Sequence, residues 1–124
     1  MLKSAEIVAF AATADAAESM LFYRDTLGLR LVADEPYALV FDANGTMLRI
    51  QKAESVMAVP YTTLGWTVDD IFATLEQLVN GGVMFERFSG VGQDENGVAQ
   101  FPGGAKVAWF KDPDGNRLSI TQLP

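Results

Sequence analysis

Histidine and cysteine are both absent from this chain of 124 residues. Without them there is no imidazole general base, no thiolate nucleophile, no disulfide and no Cys/His zinc site. Basic residues are scarce as well: nine Lys and Arg stand against sixteen Asp and Glu, for a formal net charge of −7. That balance favours solubility and works against a nucleic-acid backbone as partner, and the nine cations are scattered rather than striped. No uncharged stretch reaches the roughly 20 apolar residues that a membrane helix needs. The first residues, with Lys3 and Glu6 before Ile7-Val8-Ala9-Phe10 and Asp15 soon after, do not read as a signal peptide. The glycines form neither GxGxxG nor GxxxxGK, which removes the nucleotide-binding motifs. The expectation is a cytoplasmic protein that partners neither nucleic acid nor membrane.

What is present is apolar mass. The chain is 49% hydrophobic with eight Phe and two Trp, enough for one domain's core without covalent staples. The run 7–12 predicts a buried strand. Asp15 stands at a helix N-cap position with Glu18 three residues on, the spacing of a capping box. Residues 16–27 are helical in composition, with Met20, Tyr23 and Leu27 on one face, and Gly28 suits the position just past the helix end. Strands are expected at 29–33, 37–41 and 46–51, the last two joined by Asp42-Ala43-Asn44-Gly45, a sequence that accepts left-handed backbone.

A linker, 52–61, leads to a second half. There the pattern predicts a strand at 62–68, a helix from about 71 to 79 behind Asp69-Asp70, and a short strand at 83–88. Residues 89–104 hold five glycines and Pro102 and read as a long loop or arm. Strands at 106–110 and 116–121 flank the turn Asp112-Pro113-Asp114-Gly115. Each half thus reads strand, helix, strand, strand, strand. Thr13 and Asp15 are echoed 55 positions on by Val68 and Asp70, and Asp42 to Gly45 is echoed 70 positions on by Asp112 to Gly115. Weak symmetry of this kind implies an α+β fold of two βαβββ modules, 1–51 and 62–124, within one domain of residues 1–124.

Alternation sorts the strand faces. Leu48/Ile50, Leu64/Trp66 and Leu118/Ile120 belong under the helices. The opposite side carries Met47, Arg49, Gln51, Thr63, Gly65, Thr67, Arg117, Ser119 and Thr121, joined by Val8 and Phe10. It is either the lining of a cavity or an ordinary solvated face. Arg49 stands out because it sits mid-strand between hydrophobic neighbours. It could hold a ligand's carboxylate, phosphate or enolate, or simply pair with one of the sixteen acids. Trp109, Phe110, Phe101 and Phe88 could stack on a planar ligand or pack as core. Asp69-Asp70 and Asp112/Asp114 offer oxygen donors, but both pairs stand where caps and turns want them. Asp94-Glu95 lies in the glycine-containing segment, where Glu95 could act as a proton acceptor and so joins Arg49 as a candidate catalytic residue. Glu86-Arg87 reads as surface or interface pairing.

These residues resemble the vicinal oxygen chelate superfamily, which includes glyoxalase I, extradiol dioxygenases, fosfomycin-resistance transferases and the bleomycin-binding resistance proteins. The resemblance rests on Asp15 with Phe22-Tyr23-Arg24-Asp25 and Leu27-Gly28-Leu29, on Trp66-Thr67-Val68-Asp69-Asp70, and on Phe110-Lys111-Asp112-Pro113-Asp114-Gly115-Asn116 leading into Leu118-Ser119-Ile120. It covers nearly the whole chain. It implies two βαβββ modules whose curved mixed sheets form a cleft, often completed in a homodimer. It specifies the fold and not an activity.

Metal-dependent members place four ligands, usually His or Gln and Glu, on the cleft-facing strands. Carried over by position, these fall on Val8 (with Ile7 as the neighbouring choice), Arg49, Thr63 and Ser119. That set does not hold a divalent metal, and a cation at Arg49 would repel one. The resemblance therefore implies a member with no metal and no cofactor. The expected function is metal-independent binding of a small organic molecule, contacted by Val8, Phe10, Arg49, Thr63, Trp109 and Ser119. A metal-independent lyase or isomerase acting on a carbonyl or carboxylate, and a structural or interaction module, are the alternatives.

Overall fold

The computed structural model describes all 124 residues. They divide into two compact units, Met1–Met57 and Ala58–Pro124, each built on a four-stranded sheet.

The first unit contains β1 (Val8–Thr13), a helix α1 (Ala16–Leu21), a π-helical turn (Phe22–Thr26), β2 (Arg30–Asp34), β3 (Ala38–Ala43) and β4 (Thr46–Lys52). The strand order is β1-β4-β3-β2, with β1 parallel to β4 and the other neighbours antiparallel. Asp15 caps α1, its carboxylate accepting from the Glu18 N–H at 3.2 Å. The N–H that a capping-box glutamate would serve, that of Asp15, donates instead to Thr13 Oγ1 at 3.0 Å. The helical stretch is regular only to Leu21, where a single α-helix was expected over 16–27. Beyond it the Leu27 N–H reaches back five residues to Phe22 O, and the wider turn takes one extra residue. Ser19 and Tyr23 become the buried pair of this segment, Tyr23 packing on Phe41 at 5.8 Å. Gly28, at φ 78°, then ends it, and the Leu29 N–H returns to Tyr23 O. Leu39, Phe41, Leu48 and Ile50 complete this core. Asn44 and Gly45 both take positive φ in the β3–β4 turn, as that dipeptide predicts.

The run 7–12 departs from its predicted burial. β1 is the edge of its sheet; Ile7 is 76% exposed and Phe10 50%. Its register with β4 explains this. Phe10 pairs with Arg49 and Val8 with Met47, which places both on the face opposite Leu48 and Ile50. An apolar strand at an edge buries only the side that has something packed on it.

The second unit contains β5 (Leu64–Thr67), α2 (Ile71–Asn80), β6 (Ala99–Gln100), β7 (Lys106–Lys111) and β8 (Arg117–Gln122), in the order β5-β8-β7-β6. Asp70 caps α2 by accepting from the N–H groups of Phe72 and Ala73, both at 3.1 Å. Ile71, Leu75 and Leu78 are its buried stripe, as predicted. Asp112 is buried and holds the β7–β8 turn: it accepts from the N–H groups of Asp114 and Asn116 and from Asn116 Nδ2.

Residues 83–88 do not form the strand their composition predicts. A single bridge joins Phe85 to Phe110, and the Gln93 amide takes over the backbone groups a ladder would have used. Gln93 Oε1 accepts from the Phe88 N–H at 2.8 Å, while Nε2 donates to Glu86 O at 2.9 Å and Gly97 O at 2.8 Å. The second strand of the βαβββ count comes instead from β6, inside the segment 89–104 that reads as a loop.

The repeat extends to the hydrogen-bond register. In the first sheet Ala9 pairs with Leu48 and Phe10 with Arg49; in the second, Leu64 pairs with Leu118 and Gly65 with Ser119. The offsets of 55 and 70 positions carry one set of pairs onto the other.

Candidate functional site

Each sheet has a face that its own helix does not cover, and each face has a central row set by register. In the first unit that row is Phe10, Arg49 and Val40. Arg49 Nη2 donates to Glu35 Oε1 at 2.8 Å; the side chains are 28% and 44% exposed. This is the ion pair that was one of the two readings of Arg49. It is a single hydrogen bond at a half-open position, and the remaining guanidinium N–H groups have no partner in the chain. Glu35 sits in the β2–β3 turn, its own N–H donating to Ala38 O. The next row is Val8, Met47, Asp42 and Arg30. There a pocket of about 250 Å³ is lined by Val8, Val32, Val40 and Met47, with Arg30 and Asp42 paired at its rim at 3.3 Å.

In the second unit the corresponding row is Gly65, Ser119 and Trp109. Ser119 is 7% exposed and its hydroxyl makes no hydrogen bond within the chain. Phe88 and Phe101 stand edge-on to Trp109, at 5.4 and 6.4 Å between ring centres. Arg117 lies over the Phe88 ring at 4.8 Å and pairs with Glu86 at 3.1 Å, while Lys111 approaches the same carboxylate at 3.7 Å. Thr63 donates its hydroxyl to Arg117 O at 3.0 Å. Arg117 was already assigned to this face by alternation; its partner was not, because Glu86 lies 31 residues away on an irregular segment. Phe110, by contrast, is core at 1% exposure.

The acidic candidates of segment 89–104 are placed differently. The Asp94 carboxylate accepts from the N–H groups of Asn96 and Val98, closing its own loop. Glu95 is exposed, and the backbone carbonyls of both residues accept from Arg87. On the helical segment of the first unit, the hydrogen bond from Arg24 lowers the Asp25 carboxyl below its ordinary value, and the same bond raises the Arg24 guanidinium.

The donors at the four positions named from the resemblance do not fit a divalent metal. Valine has no donor atom, Arg49 is a cation already holding a carboxylate, and Thr63 and Ser119 contribute two neutral hydroxyls. No three acidic side chains are grouped closely enough to hold an ion.

Residues 6–120 match the family described as the Glyoxalase/Bleomycin resistance protein/Dioxygenase superfamily, and the chain belongs to it. Among solved structures it is similar to a lactoylglutathione lyase from Agrobacterium tumefaciens, at 19% identity and a TM-score of 0.76, over 98% of this chain and 96% of that one. It is similar as well to a member of the superfamily from Sphaerobacter thermophilus DSM 20745, at 22% identity and a TM-score of 0.75, over 98% and 99%. An integron cassette protein from the mobile metagenome of V. Cholerae is a third, at 19% identity and a TM-score of 0.70, over 100% and 98%. Likeness at these identities establishes the two-module fold. No protein of curated function matches the chain. No helix is long and apolar enough to cross a membrane.

Proposed function

We infer that this chain is a metal-independent binding protein for a small organic molecule. The observation that carries the reading is the row Phe10–Arg49–Val40, a cation set among apolar side chains on a sheet face its helix leaves open. A solvated face seldom keeps a half-exposed Phe and a cluster of uncovered aliphatic residues around one arginine unless something covers them. In the first unit the contacts are Val8, Phe10 and Arg49. In the second they are Thr63, Trp109 and Ser119, with the free Ser119 hydroxyl and the Trp109 indole as the polar and flat elements. The protein acts in the cytoplasm as a homodimer, an assembly measurable by light scattering on a sizing column.

The reading as a lyase or isomerase, with Arg49 stabilising negative charge and Glu95 as base, has no observation in its favour. The Asp94 carboxylate is committed to its own turn, and Glu95 stands in solvent. The decisive experiment is a ligand screen by thermal shift and native mass spectrometry on the wild type and Arg49→Ala, with and without EDTA. Ligands that stabilise the wild type, survive EDTA and are lost in Arg49→Ala support the assignment. Ligands that vanish in EDTA overturn metal independence, and turnover of a bound compound overturns the binding-only reading.

A further inference from the structure

We propose that Glu35 stands in for the carboxylate of the ligand, and that the open face of the first unit takes small monocarboxylates with an apolar body. This rests on the reading of that face as a small-molecule site. Arg49 presents a planar fork of five N–H donors, whose preferred partner is a carboxylate held by two parallel hydrogen bonds. Glu35 fills one of them, through Nη2 alone. The contact is therefore weaker than the bidentate one a free carboxylate would make. Glu35 is also placed to let go. It projects from a turn, its side chain is 44% exposed, and its backbone stays tied by the bond to Ala38 O whether or not the side chain swings out.

The surroundings choose the rest of the molecule. Val40 is the direct strand neighbour of Arg49 and also lines the pocket of about 250 Å³, together with Val8, Val32 and Met47. A cavity of about 150 Å³ accommodates benzene, so this one fits a body of roughly six to eight carbons. A second negative charge is disfavoured. Two acids line the pocket, Glu6 and Asp42; the cation that lines it, Arg30, is already paired with Asp42, and the chain as a whole carries −7. The chemistry selected is one carboxylate, no second charge, and an aliphatic or phenyl tail.

The test is a calorimetric titration of wild type, Glu35→Gln and Arg49→Met with acetate, butyrate, hexanoate and benzoate, each compared with its primary amide. Affinity should rise from acetate to hexanoate, and the amides should bind about tenfold more weakly or worse. Glu35→Gln, which removes the competing charge but keeps the length, should tighten carboxylate binding by about two- to fivefold. Arg49→Met should abolish it. Amides binding as well as acids overturn the ligand class. Carboxylate binding that depends on Arg49 but is unchanged or weakened in Glu35→Gln overturns the role of Glu35 and leaves the binding reading standing. No binding of any probe to wild type or Glu35→Gln overturns the monocarboxylate assignment, and the broader screen then decides the binding reading separately. Thermal unfolding of Glu35→Gln, a change at a half-exposed turn, checks that the variant is folded.

Discussion

Gly65 is the point where the second sheet can be probed most sharply. A Cβ built there would lie 2.7 Å from Ser119 Oγ, closer than real Cβ contacts come, while the next nearest atom, Ser119 O, is at an ordinary 3.7 Å. The clash is therefore with one hydroxyl. Gly65 does not use a left-handed backbone, so its role is space and not conformation. Gly65→Ala adds a methyl against a side chain that is 7% exposed, an overpacking that costs about 1–3 kcal/mol. Ala in a strand interior returns about 0.5–1 kcal/mol over Gly. The net expectation is a loss of roughly 1 kcal/mol, within a span of about 0–2.5 kcal/mol.

In a Ser119→Ala background the obstacle is gone, and since the hydroxyl has no partner in the chain, Ser119→Ala alone should be nearly neutral. Gly65→Ala should then be neutral or stabilising, giving a coupling of about 1–3 kcal/mol in the double-mutant cycle. Urea unfolding followed by tryptophan fluorescence suits the measurement. Trp66 and Trp109 both lie in the second unit, so the signal reports the sheet that was changed. With a slope of about 1–3 kcal/mol per molar urea, the single variant should move the midpoint by a few tenths of a molar or more. Costs that add within about 0.5 kcal/mol across the two backgrounds would refute the steric account.

Two further outcomes follow from buried polar groups. Ser19 is fully buried with its hydroxyl unpartnered, so Ser19→Ala should raise stability by about 0.5–1.5 kcal/mol in thermal or urea unfolding; a loss would mean the hydroxyl serves a partner in solution. Gln93→Ala should free the backbone groups of Phe88, Glu86 and Gly97, costing about 2–3 kcal/mol locally and opening residues 86–97 to limited proteolysis, whereas wild-type resistance would show that the amide is dispensable.

Much of this fold is legible from local chemistry. Asp15 and Asp70 cap helices because a short carboxylate at that position meets free N–H groups, and Asn44-Gly45 turns because both residues tolerate positive φ. Leu48/Ile50 and Leu118/Ile120 go inside because they alternate with polar neighbours. What escaped depends on partners elsewhere in the chain. Nothing in the composition of 83–88 shows that the Gln93 side chain would replace a strand, and nothing in 7–12 shows that only one side of β1 would be packed. The widened turn at Phe22–Thr26 differs from an α-helix by one residue per turn, too small a change for apolar spacing to register.

Arg49 shows the same limit at the candidate site. Its strand position is readable from alternation, and its rank as a candidate follows from being a cation amid apolar residues. Its partner is not readable, because any of sixteen acids could reach it and the choice depends on how the β2–β3 turn folds back. The repeat makes the position more telling. Register carries Arg49 of the first sheet onto Ser119 of the second, Phe10 onto Gly65, and Val40 onto the strand position of Trp109. One backbone row thus appears twice with different side chains: a cation between Phe10 and the buried Val40 in one unit, a free hydroxyl between Gly65 and Trp109 in the other. Packing within the sheet cannot demand both sets, because the strand pairing at these rows is equivalent. The divergence is then best explained by what each face meets, and the paired substitutions at Arg49 and Ser119 should alter ligand choice far more than they alter stability.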